Sequence, residues 1–384
     1  MQRITSEHSP LSFLSQRLAY ANQNGIEALN LVENVPVWPD AARPKDRQRD
    51  SNDMFRYAPA EGESRLRQLL LDRERSKAGN DPYLLGENNL LVTNGATQAF
   101  ALVLALVEPT RRKILCQNST FVGMASLMRS RGFSVVHCPR GIDAVTWMAE
   151  NLSNDVAAIY LNTPHNPTGC AVPKDDILSL AALAERYRLE LIVDAVYEDY
   201  VFDGLDASIP RLPHCDHFFL INSVSKNYGS PGLRIGWVVA SKKNIDRLTG
   251  VLERECVAVC SIAQSRAADV LENGNVSLVH HVERNRKGVF EALRSVRGGA
   301  FASTSAGTQV MLQCEVDDIE AFADYSLSKY GLILATARNY ANIASQSVRI
   351  PLGDDPRKTS EGIKRLSDSL QAYADDHIYS ERLC

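Results

Sequence analysis

The chain has 384 residues, of which 45% are hydrophobic and 23% are charged. This composition is typical of a folded globular protein and excludes a disordered or fibrous one. At roughly 150 residues per domain, the length predicts two or three domains. The formal charge is -4, from 42 Lys+Arg against 46 Asp+Glu, which argues against a nucleic acid or a membrane surface as partner.

Cysteine usage and hydropathy both predict a cytoplasmic protein. The eight cysteines are scattered without a CxxC pair, which is typical of reduced thiols. The N-terminal segment lacks an apolar stretch of signal-peptide length. The longest apolar run, from Ala99 to Val107, is far shorter than the ~20 residues that a membrane span needs.

In chain order, the pattern begins with an amphipathic helix near Leu11–Ala21 and a second helix over 61–79. Short apolar segments then alternate with helical patterns, which indicates a mostly parallel sheet covered on both faces, a three-layer αβα architecture. The predicted strands are 90–93, 113–116, 133–137, 157–161, 190–194, 218–222 and 235–240, and the predicted helices between them are 97–107, 121–131 and 175–188.

The pattern of predicted helices and strands changes after residue 242. Residues 242–296 have a long helical pattern, strands are predicted at 307–315 and 346–352, and a helix at 360–376 closes the chain. We therefore predict three parts: an N-terminal arm that packs on the small domain (1–45), a large domain (46–242) and a smaller α+β domain (243–384).

Polar residues gather where the predicted strands end, which is the edge where open α/β sheets bind ligands. The four segments are TNGATQ at 93–98, NTPHNPTG at 162–169, VDAVY at 193–197 and SVSKNYGSPGLRIGW at 223–237. The first opens a helix, so its backbone N–H groups could hold an anion, although an ordinary strand-to-helix turn is the alternative. In the second, two X-Pro steps and a glycine fix a rigid turn.

Asp194 and Lys226 are the chemically significant residues of the other two segments. A carboxylate at the end of an apolar strand is costly unless a cation pairs with it, and a protonated ring nitrogen would be such a cation. A helix N-cap is the alternative for Asp194. A lysine among cationic neighbours has a lowered pKa and can react as a nucleophile through an imine, the alternative being a surface lysine.

These four segments together resemble the fold-type I, pyridoxal-phosphate-dependent aminotransferases of class I/II, over residues 30–376. The resemblance implies that Lys226 forms the internal aldimine and later moves the proton between Cα and C4′, through a quinonoid intermediate. It implies that Asp194 keeps the pyridine nitrogen protonated, and that Asn166 and Tyr197 hydrogen-bond the phenolic oxygen of the cofactor. The phosphate site implied by the resemblance consists of Gly95, Ala96, Thr97, Ser223, Ser225 and Arg234.

The resemblance also assigns residues outside these segments. Phe121 is expected to stack on the cofactor ring, and Arg349 to bind the substrate α-carboxylate, for which the arginine fork is better suited than lysine. Tyr57 matches a tyrosine that reaches the phosphate in the partner subunit. The resemblance therefore implies a homodimer with shared active sites, and an amino acid as the small-molecule substrate.

Three substrate-facing segments depart from the family pattern. Asn34 stands where glycine is usual, Gln309 replaces an aromatic residue, and Arg338 lies in a loop that differs from the usual PGxxF-like sequence. Glu33 lies in the same segment as Asn34. Together these four residues predict a polar substrate pocket, although neutral sequence drift in loops is the alternative.

The predicted reaction is transamination between an amino acid and a 2-oxo acid. The SKNYGSPGLRIG string also resembles 1-aminocyclopropane-1-carboxylate synthases, so a cyclase or lyase acting on a polar or hydroxylated guanidino amino acid is the alternative. No metal site is expected, because the His214-Cys215-Asp216-His217 run favours a surface turn over a zinc site. Ser6, Glu7 and His8 could reach the site if the N-terminus folds over it.

Overall fold

The computed structural model describes residues 10–45, 55–78 and 85–381. Ser6, Glu7 and His8 lie outside the described residues. Within the described ranges, no helix combines the length and the apolar character needed to cross a membrane.

The helices and strands follow the predicted alternation closely. The helices are α1 (Pro10–Gln23), α2 (Ser64–Lys77), α3 (Gly95–Leu106), α4 (Val122–Ser130), α5 (Ala144–Glu150), α6 (Lys174–Tyr187), α7 (Val224–Asn227), α8 (Lys242–Cys256), α9 (Ser261–Asn273), α10 (Val276–Arg294), α11 (Ile319–Tyr330) and α12 (Pro356–Glu381). The strands are β1 (Leu29–Asn30), β2 (Leu90–Thr93), β3 (Lys113–Cys116), β4 (Thr120–Phe121), β5 (Ser134–His137), β6 (Val156–Asn162), β7 (Glu190–Asp194), β8 (Phe218–Ser223), β9 (Gly236–Val239), β10 (Gly299–Ala300), β11 (Gln309–Cys314), β12 (Leu332–Ile333), β13 (Ala335–Thr336), β14 (Tyr340–Ala341) and β15 (Ser347–Pro351).

The larger sheet has seven strands in the order β2-β9-β8-β7-β6-β3-β5. Strands β8, β7, β6, β3 and β5 pair in parallel, and β9 runs antiparallel to both its neighbours. Every residue of β6 and β8 is buried, so both faces of the sheet centre are covered. Continuous apolar strands of this kind are characteristic of parallel sheets between helical layers, and the predicted mostly parallel sheet is confirmed.

The smaller sheet is antiparallel, in the order β10-β11-β15-β13. Its core includes Leu312, Ile350 and Leu366, with Leu31 from the N-terminal segment buried among them. The same N-terminal segment supplies β1, which pairs in parallel with β12. The N-terminal segment thereby contributes both a strand and a core side chain to the smaller unit.

Helices α8 and α9 contribute side chains to the core around the large sheet, although they follow residue 242. Leu248, Leu252, Ala267 and Ala268 belong to the same buried cluster as the central strands. The three predicted domain ranges stay a prediction, and this packing favours a boundary later than residue 242.

Candidate active site

One cavity of about 640 Å³ opens at the carboxyl ends of the parallel strands. In the register of β6 and β7, Asn162 lies opposite Asp194, and β8 ends beside them at Ser223. The predicted site residues that line the cavity are Glu33, Asn34, Ala96, Thr97, Phe121, Asn166, Asp194, Tyr197, Ser223, Ser225, Lys226, Arg234 and Arg349. Residues more than 300 positions apart in the chain therefore meet at one sheet edge.

Lys226 lies on α7, the short helix that follows β8. Its Nζ donates a hydrogen bond to the backbone carbonyl of Asn34 at 2.8 Å. Burial, and then the positive charge of Arg349, lower the pKa of this amine to about 7, although Glu33 opposes the shift. An amine with such a pKa is about half neutral at pH 7, and its neutral form can attack a carbonyl carbon.

Asp194 ends β7 and is only 9% exposed. Its Oδ2 accepts a hydrogen bond from the Tyr160 hydroxyl at 2.7 Å, and its Oδ1 accepts one from the Val196 N–H at 3.3 Å. Burial raises the pKa of this carboxyl to about 6 despite these two donors. No ion pair of Asp194 occurs among the described residues, so a cationic group of a ligand would complete this site.

The first turn of α3 and the guanidinium of Arg234 meet at the cavity wall. Gly95 has φ +76°, a backbone conformation that favours glycine, and a Cβ at this position would lie 2.5 Å from Nη2 of Arg234, so a larger residue would displace the guanidinium. Arg234 Nη1 also lies 3.5 Å from the Ser225 hydroxyl. Arg234 has no carboxylate partner in the described part of the chain, and Ala96 and Thr97 line the cavity at the same helix start. A helix N-terminus combined with an arginine suits a phosphate group.

Tyr197, Asn166 and Phe121 also line the cavity. Burial raises the pKa of the Tyr197 hydroxyl, whose oxygen accepts a hydrogen bond from Nδ2 of Asn34 at 3.3 Å. Asn166 donates its backbone N–H to Oδ1 of Asn162 at 2.7 Å, which fixes the turn at this sheet edge. The Phe121 ring lies edge-on to Tyr340, with ring centroids 6.5 Å apart.

Arg349 presents a buried guanidinium to the same cavity. It is 5% exposed on β15, donates from Nη1 to the Tyr340 hydroxyl at 2.7 Å, and donates from Nη2 to the carbonyl of Val32. No carboxylate within the described ranges pairs with it, and its buried Nε has no hydrogen-bond partner there. A carboxylate ligand would supply the missing partner.

Four predicted residues do not line the cavity. Gly95 lies against the guanidinium of Arg234 and does not line the cavity itself. Gln309 is fully buried behind Asn34, and its side-chain hydrogen bonds go to protein groups. Arg338 is held 3.1 Å from Glu320 and therefore contributes no charge to the cavity wall. Tyr57 is 84% exposed and lies outside the cavity.

Two tyrosines of the site, Tyr160 and Tyr340, were not predicted from the sequence. Tyr160 interrupts the apolar strand AAIYL, which is a signal for a buried hydroxyl with a specific partner. Tyr340 stands in the departing loop, and its hydroxyl links Arg349 to Oδ1 of Asn166, 3.2 Å away. Both tyrosines line the cavity.

The charges around the cavity fit one kind of ligand. Lys226, Arg234 and Arg349 have no ion-pair partner among the residues described, and neither does Asp194. A ligand with an anionic group, a basic ring nitrogen and a reactive carbonyl could satisfy Arg234, Asp194 and Lys226 together. Arg349 then remains for a second carboxylate-bearing molecule.

The fold and this site define a class of enzyme. The sequence profile of the family described as aminotransferase class I and II matches residues 26–366. The chain belongs to this family and is an aminotransferase acting on amino acids, as predicted.

Two curated relatives narrow the comparison. The chain is 37% identical over 382 residues to an L-aspartate:5-guanidino-3-methyl-2-oxopentanoate transaminase of Pseudomonas syringae pv. syringae, covering 97% of each chain. It is 33% identical over 374 residues to a 3-methylarginine biosynthesis aminotransferase of Streptomyces arginensis, covering 95% of this chain and 99% of the relative. The names of both relatives favour transamination over the cyclase or lyase alternative.

The fold is shared with solved aminotransferase structures. Aspartate aminotransferase from Thermotoga maritima superposes with a TM-score of 0.80 at 19% identity, covering 95% of this chain and 97% of the other. The predicted fold-type I architecture is confirmed by this similarity.

Proposed function

We propose that this aminotransferase uses pyridoxal phosphate, bound covalently through Lys226. The carrying observation is the set of unpaired charges in one cavity: an amine with a lowered pKa, a buried acid, and an arginine at a helix N-terminus. When bound, this cofactor supplies an electron-withdrawing ring that eases removal of the substrate Cα proton.

We assign the following roles toward this cofactor to the predicted residues that line the cavity. Asp194 would pair with the ring nitrogen, and the Lys226 amine would take up the proton that leaves the substrate Cα. The phenolic oxygen is held by Tyr197 and Asn166, and Phe121 covers the ring. The phosphate is bound by the start of α3, Ser223, Ser225 and Arg234.

We propose that the substrate pair is a guanidino-bearing, C-methylated 2-oxo acid and aspartate as amino donor. The names of the two relatives support this proposal because both concern methylated arginine chemistry and match nearly the whole chain. Arg349 would bind the α-carboxylate that both substrates share. Glu33 would bind the guanidinium, because Glu33 and Asp194 are the only carboxylates among the described residues of the cavity wall, and Asp194 is assigned to the ring nitrogen.

A product analysis tests this function. The purified holoenzyme is incubated with aspartate and 5-guanidino-3-methyl-2-oxopentanoate, or with 2-oxoglutarate instead, and products are identified by mass. We expect amino transfer to the guanidino acid in preference to 2-oxoglutarate. Consumption of an amino acid without any 2-oxo acid would instead indicate the cyclase or lyase chemistry.

Glu33→Gln separates the two substrates of the same enzyme. We expect kcat/KM for the guanidino acid to fall by about 10-fold or more, as for loss of a charge-assisted hydrogen bond. The aspartate half-reaction, which involves no guanidinium, serves as the internal control and should change little. An equal fall for both substrates would reject Glu33 as the specificity residue.

We also propose a homodimer in which Tyr57 reaches the cofactor phosphate of the neighbouring subunit. The 84% exposure of Tyr57 and the 79% exposure of Phe55 next to it support a covering partner. Mixed dimers of Lys226→Ala and Tyr57→Phe should regain activity, because one of the two sites then has both native residues. Lack of recovery in verified mixed dimers would place Tyr57 outside the shared site.

We further propose a cytoplasmic location, which cell fractionation tests.

A further inference from the structure

Two departures from the family pattern, Asn34 and Gln309, are in direct contact. Nδ2 of Asn34 donates to Oε1 of Gln309 at 2.5 Å, across 275 residues of chain. Both side chains are buried, Asn34 at 4% exposure and Gln309 at 0%. The two substitutions therefore form one structural unit between the N-terminal segment and β11.

The direction of this hydrogen bond follows from a backbone carbonyl. Nε2 of Gln309 lies 3.0 Å from the carbonyl oxygen of His165, which can only accept a hydrogen bond. The Gln309 amide is thereby oriented with Oε1 toward Asn34, and Oε1 also accepts from the Thr308 N–H at 3.2 Å. Asn34 must then turn its NH₂ group toward Gln309, and the Thr308 hydroxyl lies within hydrogen-bond distance of both Oδ1 of Asn34 (3.0 Å) and Oε1 of Gln309 (2.9 Å).

The orientation of Asn34 decides what Tyr197 can do. The same Nδ2 donates to the Tyr197 oxygen at 3.3 Å, so that oxygen acts as the acceptor of this hydrogen bond. The hydroxyl proton of Tyr197 is then free to point into the cavity. The backbone carbonyl of Asn34 meanwhile accepts from Nζ of Lys226, so one residue contacts both groups.

We propose that Asn34 and Gln309 are a positioning pair that aims the Tyr197 hydroxyl into the cavity as a hydrogen-bond donor. This inference rests on the proposed function, in which Tyr197 donates to the phenolic oxygen of pyridoxal phosphate. A donor directed onto the Tyr197 oxygen also polarises its O–H bond, which strengthens the hydrogen bond that Tyr197 gives. The pair thus favours the form of the lysine-bound cofactor in which the phenolic oxygen is negatively charged.

Spectrophotometric titration of the holoenzyme tests the pair without measuring turnover. Asn34→Ala keeps the backbone carbonyl that contacts Lys226 but removes the donor to Tyr197. The titration midpoint of the lysine-bound cofactor should rise by about 0.4 to 1 pH unit, the size expected for one hydrogen bond. Gln309→Met keeps Asn34 but removes the oxygen that accepts its hydrogen bond, and it should shift the midpoint in the same direction.

The double variant and a control variant separate positioning from loss of stability. Asn34→Ala with Gln309→Met should shift the midpoint no further than Asn34→Ala alone, because both break one chain of hydrogen bonds. Asn89→Ala, at a buried asparagine that bonds the Ala240 carbonyl outside the cavity, should leave the midpoint unchanged.

The outcomes distinguish this inference from the proposed function. A wild-type protein that never acquires a lysine-bound cofactor band would reject the proposed function itself. A normal wild-type band with an unchanged midpoint in either folded single variant would reject only the positioning pair. If one single variant does not fold, the other decides alone.

Discussion

The hydroxyl of Tyr160 donates to Oδ2 of Asp194 over 2.7 Å, and the two residues lie on the neighbouring strands β6 and β7. Tyr160 is 4% exposed, and burial raises the pKa of its hydroxyl well above the usual value. It therefore stays protonated and acts as a permanent donor to the carboxyl. This hydrogen bond lowers the pKa of Asp194 below the value that burial alone would give, so the carboxyl ionises at a lower pH.

Asp194→Asn should stabilise the cofactor-free enzyme while weakening cofactor binding. The folded-state pKa of Asp194, about 6, is above the usual 3.8, so the native state binds this proton more tightly than the unfolded chain. The free energy of unfolding consequently falls as pH rises from about 4 to about 6, and this loss amounts to about 3 kcal/mol above pH 6. Urea unfolding of both proteins at low and neutral pH measures the difference. The wild type and the variant should differ more at neutral pH, and an equal difference at both pH values would contradict the shifted pKa.

Capture of pyridoxal phosphate by the apoenzyme should depend on pH with a midpoint near 7. The pKa of Lys226 is lowered to about 7, and only the neutral amine attacks the aldehyde. The association rate constant, followed by stopped-flow absorbance, should therefore rise through about pH 7 and then level off. Lys226→Ala should show no lysine-bound absorbance band at any pH. A midpoint near the ordinary lysine pKa of 10.5 would mean that the amine is solvated.

The parallel strands could be predicted from the sequence because burial on both faces leaves continuous apolar runs. Residues 113–116 and 190–194 were predicted with the observed bounds, and the strand predicted at 157–161 extends over Val156–Asn162. The predicted helical stretch 242–296 consists of three helices, α8, α9 and α10, because the chain breaks at Val257 (φ +65°) and at Gly274 (φ +68°). Gly274 could have been recognised as a helix end, whereas Val257 gives no sequence signal.

The polar edge of the sheet was also predictable, since residues that end neighbouring strands must meet. Side-chain partners across long sequence separations were not. Gln309 and Arg338 were both predicted to face the substrate, yet Gln309 contacts Asn34 and Arg338 pairs with Glu320. Such contacts depend on how the N-terminal segment, β11 and α11 pack together, and no local pattern encodes that packing.

Arg349→Ala should weaken binding of the carboxylate substrate by about 2–5 kcal/mol, as for loss of one partner in a buried ion pair. Arg349→Lys should recover only part of this, because lysine lacks the planar fork. Kd for a non-reactive dicarboxylate analogue, measured by absorbance titration, reports the effect. Arg338→Ala, which breaks the pair with Glu320 outside the cavity wall, should have a smaller effect on this Kd. Equal effects of the two alanine variants would contradict the proposal that Arg349 binds the substrate carboxylate.

A buried ionic cluster beneath the site is expected to determine much of the stability of the large unit. Arg73 and Arg211 each pair with both Glu74 and Glu198, at 2.6 to 2.8 Å. All four side chains are at most 7% exposed. The Asn222 amide also donates to Glu198 at 2.6 Å. Removing one charge leaves the others uncompensated in a medium of low dielectric constant.

Glu198→Gln should therefore lower the free energy of unfolding of the apoenzyme by about 3–5 kcal/mol, as observed when one partner of a buried pair is removed. The matched control is Glu291→Gln, which loses a pair with Arg294 on the exposed face of α10 and should cost less than about 0.5 kcal/mol. Urea midpoints for the three proteins, at one pH and one ionic strength, give the comparison. Similar midpoints for the two variants would show that water reaches the cluster and screens its charges.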